Sequence, residues 1–289
     1  VEVLSKCDTV VSYLGRGQSR DCSMVTLNER LAEWMAALEA RQLADLTFQE
    51  VARALRALSS AYVERRGRLG EGIALSGAGK RAAFALYYGP LHLLLVHHIV
   101  SSLGGPFLEV DTIEDLGCGT GTSGAGWALA CPRAPRLSGL DRHPWAVEEA
   151  RSTCHDLGLR GTFAVADFLR ESPRASGTAR RSGPAPRRDR TGRGLLLAYA
   201  VNEVADAGAR DALLARALDH AARGGRVIVL EPLAGFVAPW WSAWRAACEA
   251  AGGEAREWRL HASPVPIVEK LGRAAGLNYR ELRGRTLTL

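Results

Sequence analysis

Along the first hundred residues, apolar side chains recur every three or four positions. In "TLNERLAEWMAALEARQL", Leu27, Leu31, Trp34 and Leu38 fall on one helical face. Thr26 and Glu29 stand at capping-box spacing at its start. "LTFQEVARALRALSSAYVERR" repeats the device with Thr47 and Glu50, then Val51, Leu55, Leu58 and Tyr62. A third helical stretch is predicted over roughly 78–103. Gly89-Pro90 is expected to break or kink it, and Gly104-Gly105 to end it.

The period changes after Pro106. Short apolar runs now alternate with helical patterns. "TIEDLG" precedes a helix from about Ser123 to Cys131, and "RLSGLD" precedes "HPWAVEEARSTCHDLG", where Pro144 suits a first helical turn. "GTFAVAD" follows. "GLLLAYAV" leads into "ARDALLARALDHAARGG", and "RVIVLEP" into "WWSAWRAACEAAGG". A helix near 265–275 and a strand, "RGRTLTL", close the chain. Strands alternating with helices predict an α/β fold, a doubly wound, mostly parallel sheet covered on both faces. The expected organisation is a helical N-terminal cap or substrate region over 1–105 and a ligand-binding domain over 106–289. Ligands of such sheets lie at the carboxyl ends of the strands.

Composition adds limits. The 289 residues are 47% apolar, enough for a sizeable core. The most apolar run, "LHLLLVHHIV", is short for a membrane span and holds three histidines. "VEVLSKCDTVVSYLG" lacks the pattern of a signal peptide, so none is expected. Cys7, Cys22, Cys118, Cys131, Cys154 and Cys248 form no C-x-x-C pair. They are read as reduced cytoplasmic thiols, with no metal site and no disulfide framework. The net charge of +6 is concentrated in "ESPRASGTARRSGPAPRRDRTGRG", residues 171–194, where seven arginines oppose Glu171 and Asp189 for a balance of +5. So polar a segment is expected to be a flexible insertion.

The candidate chemistry centres on "EDLGCGTGTSGAG". Gly119, Gly121 and Gly124 spell the dinucleotide fingerprint G-x-G-x-x-G, whereas Gly117, Gly119 and Gly121 spell G-x-G-x-G behind Asp115. Asp141 follows Gly121 by 20 residues, placed to accept hydrogen bonds from a ribose. Asp167-Phe168, ending the third strand, fits an adenine amine and ring face. A carboxylate at Asp115 suits a cationic ligand and would repel a pyrophosphate.

With these four motifs in order, residues 106–289 resemble the class I S-adenosylmethionine-dependent methyltransferases. The resemblance implies a seven-stranded sheet and S-adenosyl-L-methionine as cofactor. Asp115 with Gly117, Gly119 and Gly121 would line the methionine end, Asp141 would hold the ribose, and Asp167 with Phe168 the adenine; Cys118 and Arg142 are further expected cofactor contacts. Tyr199 would meet the methionine moiety from the fourth strand. "LLLAYAVNEVAD", "RVIVLEPLAG" and "GKRAAFALYYGPLH" are similar, more narrowly, to methyltransferases of the small ribosomal subunit, known from mitochondrial ribosome assembly. The iron–sulfur cysteine cluster frequent in that family is lacking here.

That narrower resemblance makes ribosomal RNA the first expected acceptor, with the arginine-rich segment 171–194 as the contact to RNA or the small subunit. A small-molecule methyltransferase with a helical lid is the alternative, as is a ribosome-associated binding protein without turnover. Asn202 and Glu203 are the candidate catalytic residues, shaping the acceptor pocket, with Glu203 and His92 as candidate bases. Plainer roles compete. Asp141 could cap the helix after it, and Asn202 could do the same. Glu231-Pro232 reads as a strand-end turn, and Trp240, Trp241 and Trp244 as core and rim.

Overall fold

The computed structural model describes residues 27–64, 75–170, 192–233, 238–261, 265–277 and 280–289. Thr26, Cys7, Cys22 and residues 171–191 of the arginine-rich segment lie outside them. Helices α1 (Leu27–Gln42) and α2 (Phe48–Glu64) form where the periodicity predicts them. The capping box at α2 is complete: the Glu50 carboxylate accepts from Thr47 N at 2.8 Å, and Thr47 Oγ1 accepts from Glu50 N at 3.3 Å. Leu31, Trp34, Leu38, Val51, Leu55 and Leu58 are all buried.

The third stretch is not broken at Gly89-Pro90. Helix α3 (Ala78–Ala83) continues through a π-helical turn, Phe84–Tyr88, into α4 (Gly89–Leu103). Pro90 has no N–H to give, and its ring would strike the carbonyl of the preceding turn of a regular helix. The wider π turn just before it absorbs the proline without ending the helix. Among the described residues, Ala78–Leu103 is the one helix long and apolar enough to cross a membrane, and 67% of its most apolar window is buried inside the fold.

The sheet follows: β1 (Thr112–Leu116), β2 (Arg136–Asp141), β3 (Gly161–Val165), β4 (Arg193–Ala198), β5 (Arg226–Glu231), β6 (Glu254–His261) and β7 (Glu281–Thr288). Its order is β3-β2-β1-β4-β5-β7-β6. The first five strands are parallel, and β7 runs antiparallel to both neighbours. The doubly wound, mostly parallel, seven-stranded sheet expected from the sequence is therefore present. The periodicity did not reveal β6, "EAREWRLH". It is an edge strand, and edges are commonly blunted with charge; charged and apolar positions there do not alternate cleanly.

Helices α5 (Thr122–Ala130), α6 (Pro144–Asp156) and α9 (Pro266–Ala275) join α1–α4 on one face, and α7 (Ala207–Ala222) and α8 (Trp241–Ala250) cover the other. The N-terminal helices share one apolar cluster with the sheet, so α4 is part of the layer packed on β1. A charged clamp fixes α1 to α6. The Glu149 carboxylate, 4% exposed, accepts from Arg41 Nη2 and Gln42 Nε2, each at 2.7 Å, and Arg41 Nη1 also reaches Asp156 at 3.1 Å. A buried carboxylate so paired escapes the desolvation cost of an isolated charge.

Candidate active site

The site is built from the carboxyl ends of β1, β2, β4 and β5. After β1 the backbone turns through Gly117, Gly119 and Gly121, with φ of 74°, 52° and 74°. Side chains avoid that region, which makes glycine the natural occupant. At Gly117 space also forbids a side chain, because a Cβ would lie 2.8 Å from that of Ala200. At Gly119 a Cβ would meet nothing within 4 Å, so the turn faces open space. The N–H groups of Gly117 and Cys118 are taken by the Leu140 carbonyl, and Cys118 is buried.

Asp141 ties this turn to the next. Its Oδ2 accepts from Gly119 N and its Oδ1 from His143 N, both at 2.8 Å. The helix α6 begins after His143 with no side-chain cap, so Asp141 organises the turn ahead of the helix rather than closing its end. Arg142 beside it reaches Glu203 across the cleft at 4.0 Å.

Asp115 is 1% exposed. Its Oδ2 accepts from Gly124 N at 3.2 Å, while Oδ1 is buried with no partner. A Cβ at Gly124 would stand 2.7 Å from Oδ2. The third glycine of the dinucleotide spelling is thus required by the aspartate. Burial pushes the Asp115 carboxyl up to about 7, eased by the Gly124 N–H and reinforced by Asp141. An unpaired buried oxygen of this kind lacks an electrostatic partner, and a cationic ligand would supply one.

Phe168 departs from expectation. Its ring is 8% exposed and packs with Leu116, Leu140 and Ala200, its edge 3.3 Å from where a Gly117 Cβ would be. The ring is largely buried, and Asp167 is the more exposed member of the pair. Asp167 Oδ1 accepts from Leu169 N at 3.0 Å, and Oδ2 lies 3.7 Å from Arg170.

The far wall is a polar chain that begins at Glu231. This residue is fully buried and does more than end a strand. Its Oε1 accepts from the backbone N–H of Val201 at 3.1 Å and of Asn202 at 3.2 Å, and its Oε2 from Asn202 Nδ2 at 2.5 Å. Asn202 Oδ1 in turn accepts from Trp240 Nε1 at 3.0 Å. Asn202 therefore caps no helix; Asp206 caps α7 through a bond from Ala209 N. Burial pushes Glu231 up to about 8 against the pull of those N–H groups. Glu203, with a side chain 47% exposed at the mouth, is shifted upward by partial desolvation and by Asp141, with Arg142 and the solvent at its exposed half opposing. Trp240 and Trp244 are core, and Trp241 lies under the Arg285 guanidinium, 4.1 Å from its ring centre.

Tyr199, just past β4, is the single non-glycine residue with positive φ, 61°, among the described residues. Its ring stacks on His92 of α4, 4.2 Å between centres and 26° between planes. The structure thus brings Asp115, the glycine turn, Asp141, Arg142, Glu203, Asn202 and Tyr199 around one cleft, and adds Glu231.

No known family's sequence profile and no curated protein matches the chain. Among solved structures it is similar to a mitomycin 7-O-methyltransferase, at 16% identity over 92% of this chain and 76% of that one, TM-score 0.44. It is similar to an O-methyltransferase family protein of Burkholderia thailandensis, at 22% over 75% and 61%, TM-score 0.42. A third is the magnesium protoporphyrin IX methyltransferase of Synechocystis PCC 6803 with bound S-adenosylmethionine, at 15% over 68% and 78%, TM-score 0.40.

Proposed function

We propose that the chain is a methyltransferase that binds S-adenosylmethionine in this cleft and serves a small acceptor. The observation that carries this reading is the buried Asp115 with one oxygen unpartnered, beside an open glycine turn bridged to Asp141. The cleft gathers Asp115, Asp141, Asp167, Glu203 and Glu231. Arg142 and Arg170 are each within 4.0 Å of one of these acids, and Arg285 acts on Glu231. Asp115, raised to about 7, Glu203, shifted upward, and Glu231, raised to about 8, are drawn into their ionised forms by a sulfonium and an ammonium beside them, and a pyrophosphate would oppose that ionisation. When bound, the cofactor supplies an electrophilic methyl carbon.

The chain's own residues would do the rest. Asp115 faces the cationic end. Asp141 retains lone pairs for a ribose diol while it holds Gly119. Asp167 meets the adenine side. Asn202, fixed by Glu231 and Trp240, forms a rigid wall against which an acceptor is oriented, and such positioning is a large part of any bimolecular rate gain.

The acidic lining also weighs on the acceptor, since a polyanion would meet repulsion at the mouth. Ribosomal RNA is the second reading, supported by the +5 balance of residues 171–194, which follow β3 and run into the start of β4. Cell extract incubated with cofactor carrying a labelled methyl group, then fractionated, separates the two. Label is expected in the small-molecule fraction. Label confined to RNA would establish the second reading, and label in no fraction would contradict both.

A further inference from the structure

On the helical side of the cleft, His92 stacks on Tyr199, and the cofactor reading leaves His92 without a task. Neither ring nitrogen of His92 and no hydroxyl bond of Tyr199 is engaged among the described residues. Both residues are of intermediate burial. A stacked imidazole and phenol whose polar atoms bond none of the described residues therefore stand at the end of β4, two and three residues before Val201 and Asn202.

Two departures from regular backbone hold this pair. The π turn Phe84–Tyr88 ends four residues before His92, and Tyr199 sits in the left-handed region. π turns recur at functional sites. A non-glycine residue in the left-handed region costs of order 1–3 kcal/mol and persists only where its surroundings enforce it.

The neighbours of His92 are aromatic. Phe84 meets it edge-on with centres 6.1 Å apart, and Tyr88 lies tilted at the same separation. Tyr88 has its own partner, Ser59. No charged group acts on His92 directly, and Glu231 acts on Tyr199. An imidazole set among three aromatic rings suits a flat ring bearing a proton to be lost.

We propose, resting on the methyltransferase reading above, that His92 takes the proton from an aromatic hydroxyl acceptor while Tyr199 fixes the plane of its imidazole. The acceptor oxygen forms a bond to the methyl carbon, the carbon–sulfur bond of the donor breaks with its electron pair left on sulfur, and the hydroxyl proton ends on a ring nitrogen of His92. Burial holds His92 down at about 4, so the imidazole is neutral at physiological pH and ready to accept. As the oxygen–carbon bond forms, the oxygen becomes far more acidic than an imidazolium, and so weak a base suffices. A neutral amine attacks through its lone pair with no proton to lose in the transfer step, so it is a hydroxyl acceptor that draws on the imidazole.

The test uses catechol, 4-nitrophenol and benzylamine as acceptors with the full chain and S-adenosylmethionine. Catechol keeps its proton at pH 8, and 4-nitrophenol has lost its own. His92→Gln is expected to lower turnover of catechol by about 10²- to 10⁴-fold and that of 4-nitrophenol by no more than a few-fold. Binding of 4-nitrophenol, read by absorbance, and of the cofactor, read by calorimetry, should be unchanged. His92→Asn checks that the result does not depend on one replacement. Equal losses on both phenols, no loss on either, or preferred transfer to benzylamine would overturn the assignment. So would binding of the cofactor with no transfer to either phenol, an outcome that leaves the cofactor reading standing. Failure to bind the cofactor would instead reject that reading itself.

Discussion

Gly126→Val is expected to destabilise the protein by about 3 kcal/mol or more, beyond the usual cost of overpacking. Gly126 lies in α5 where that helix touches α4 with no side chain between the backbones. A Cβ there would stand 2.5 Å from the Leu93 carbonyl oxygen and 3.2 Å from His97 N. These are backbone atoms, so relief requires moving one helix off the other. At about 2–4 °C per kcal/mol for a chain of this size class, the melting temperature should fall by roughly 10 °C. The same displacement reaches the site, because α4 carries His92 and α5 begins at the glycine turn. Cofactor affinity measured below the melting transition should drop as well. A variant melting within a degree or two of the parent would show that the two helices separate freely.

Glu231→Gln tests the opposite wall. Measured at pH 9, where the native carboxylate is ionised, the replacement has nearly the same shape but one end now donates. If its oxygen keeps the N–H groups of Val201 and Asn202, its amide nitrogen faces the Asn202 Nδ2 donor. If Asn202 flips to offer its oxygen, its nitrogen then faces Trp240 Nε1. One buried donor is left without an acceptor in either arrangement, at a cost of about 1–3 kcal/mol. The short turn Val201–Glu203 should shift, and displacements near 1 Å at a reacting pair lower rates by about 10²-fold. Methyl transfer at that reduced rate with cofactor affinity nearly kept is the expected pattern. Full activity in this variant would mean that the Glu231–Asn202–Trp240 chain positions nothing.

Much of this cleft was legible before any coordinates. Asp115 and Asp141 are set by spacing, since each ends an apolar run and precedes a turn, and strand ends of a parallel sheet converge on one edge. Glu231 was not legible in the same way. It reads as a strand-end turn because Pro232 follows, while the groups that give it meaning, Asn202 and Trp240, are joined through space over 29 and 38 residues. Phe168 shows the converse. An aromatic at a strand end matches a ligand face, but the small Gly117 and Ala200 left a hollow on the α7 side that the ring fills. Pro90 misled for a local reason, since a π turn before a proline leaves no mark in an apolar periodicity.

The claim that the cleft holds S-adenosylmethionine is tested most directly by titration calorimetry of the purified chain with that cofactor, with its demethylated product and with NADH. Binding of the first two and not the third is expected. Asp141→Ala should weaken cofactor binding by about 1.5–3 kcal/mol, roughly 10- to 100-fold, the worth of hydrogen bonds to a charged group. Binding of NADH together with no binding of the sulfonium cofactor would contradict the account.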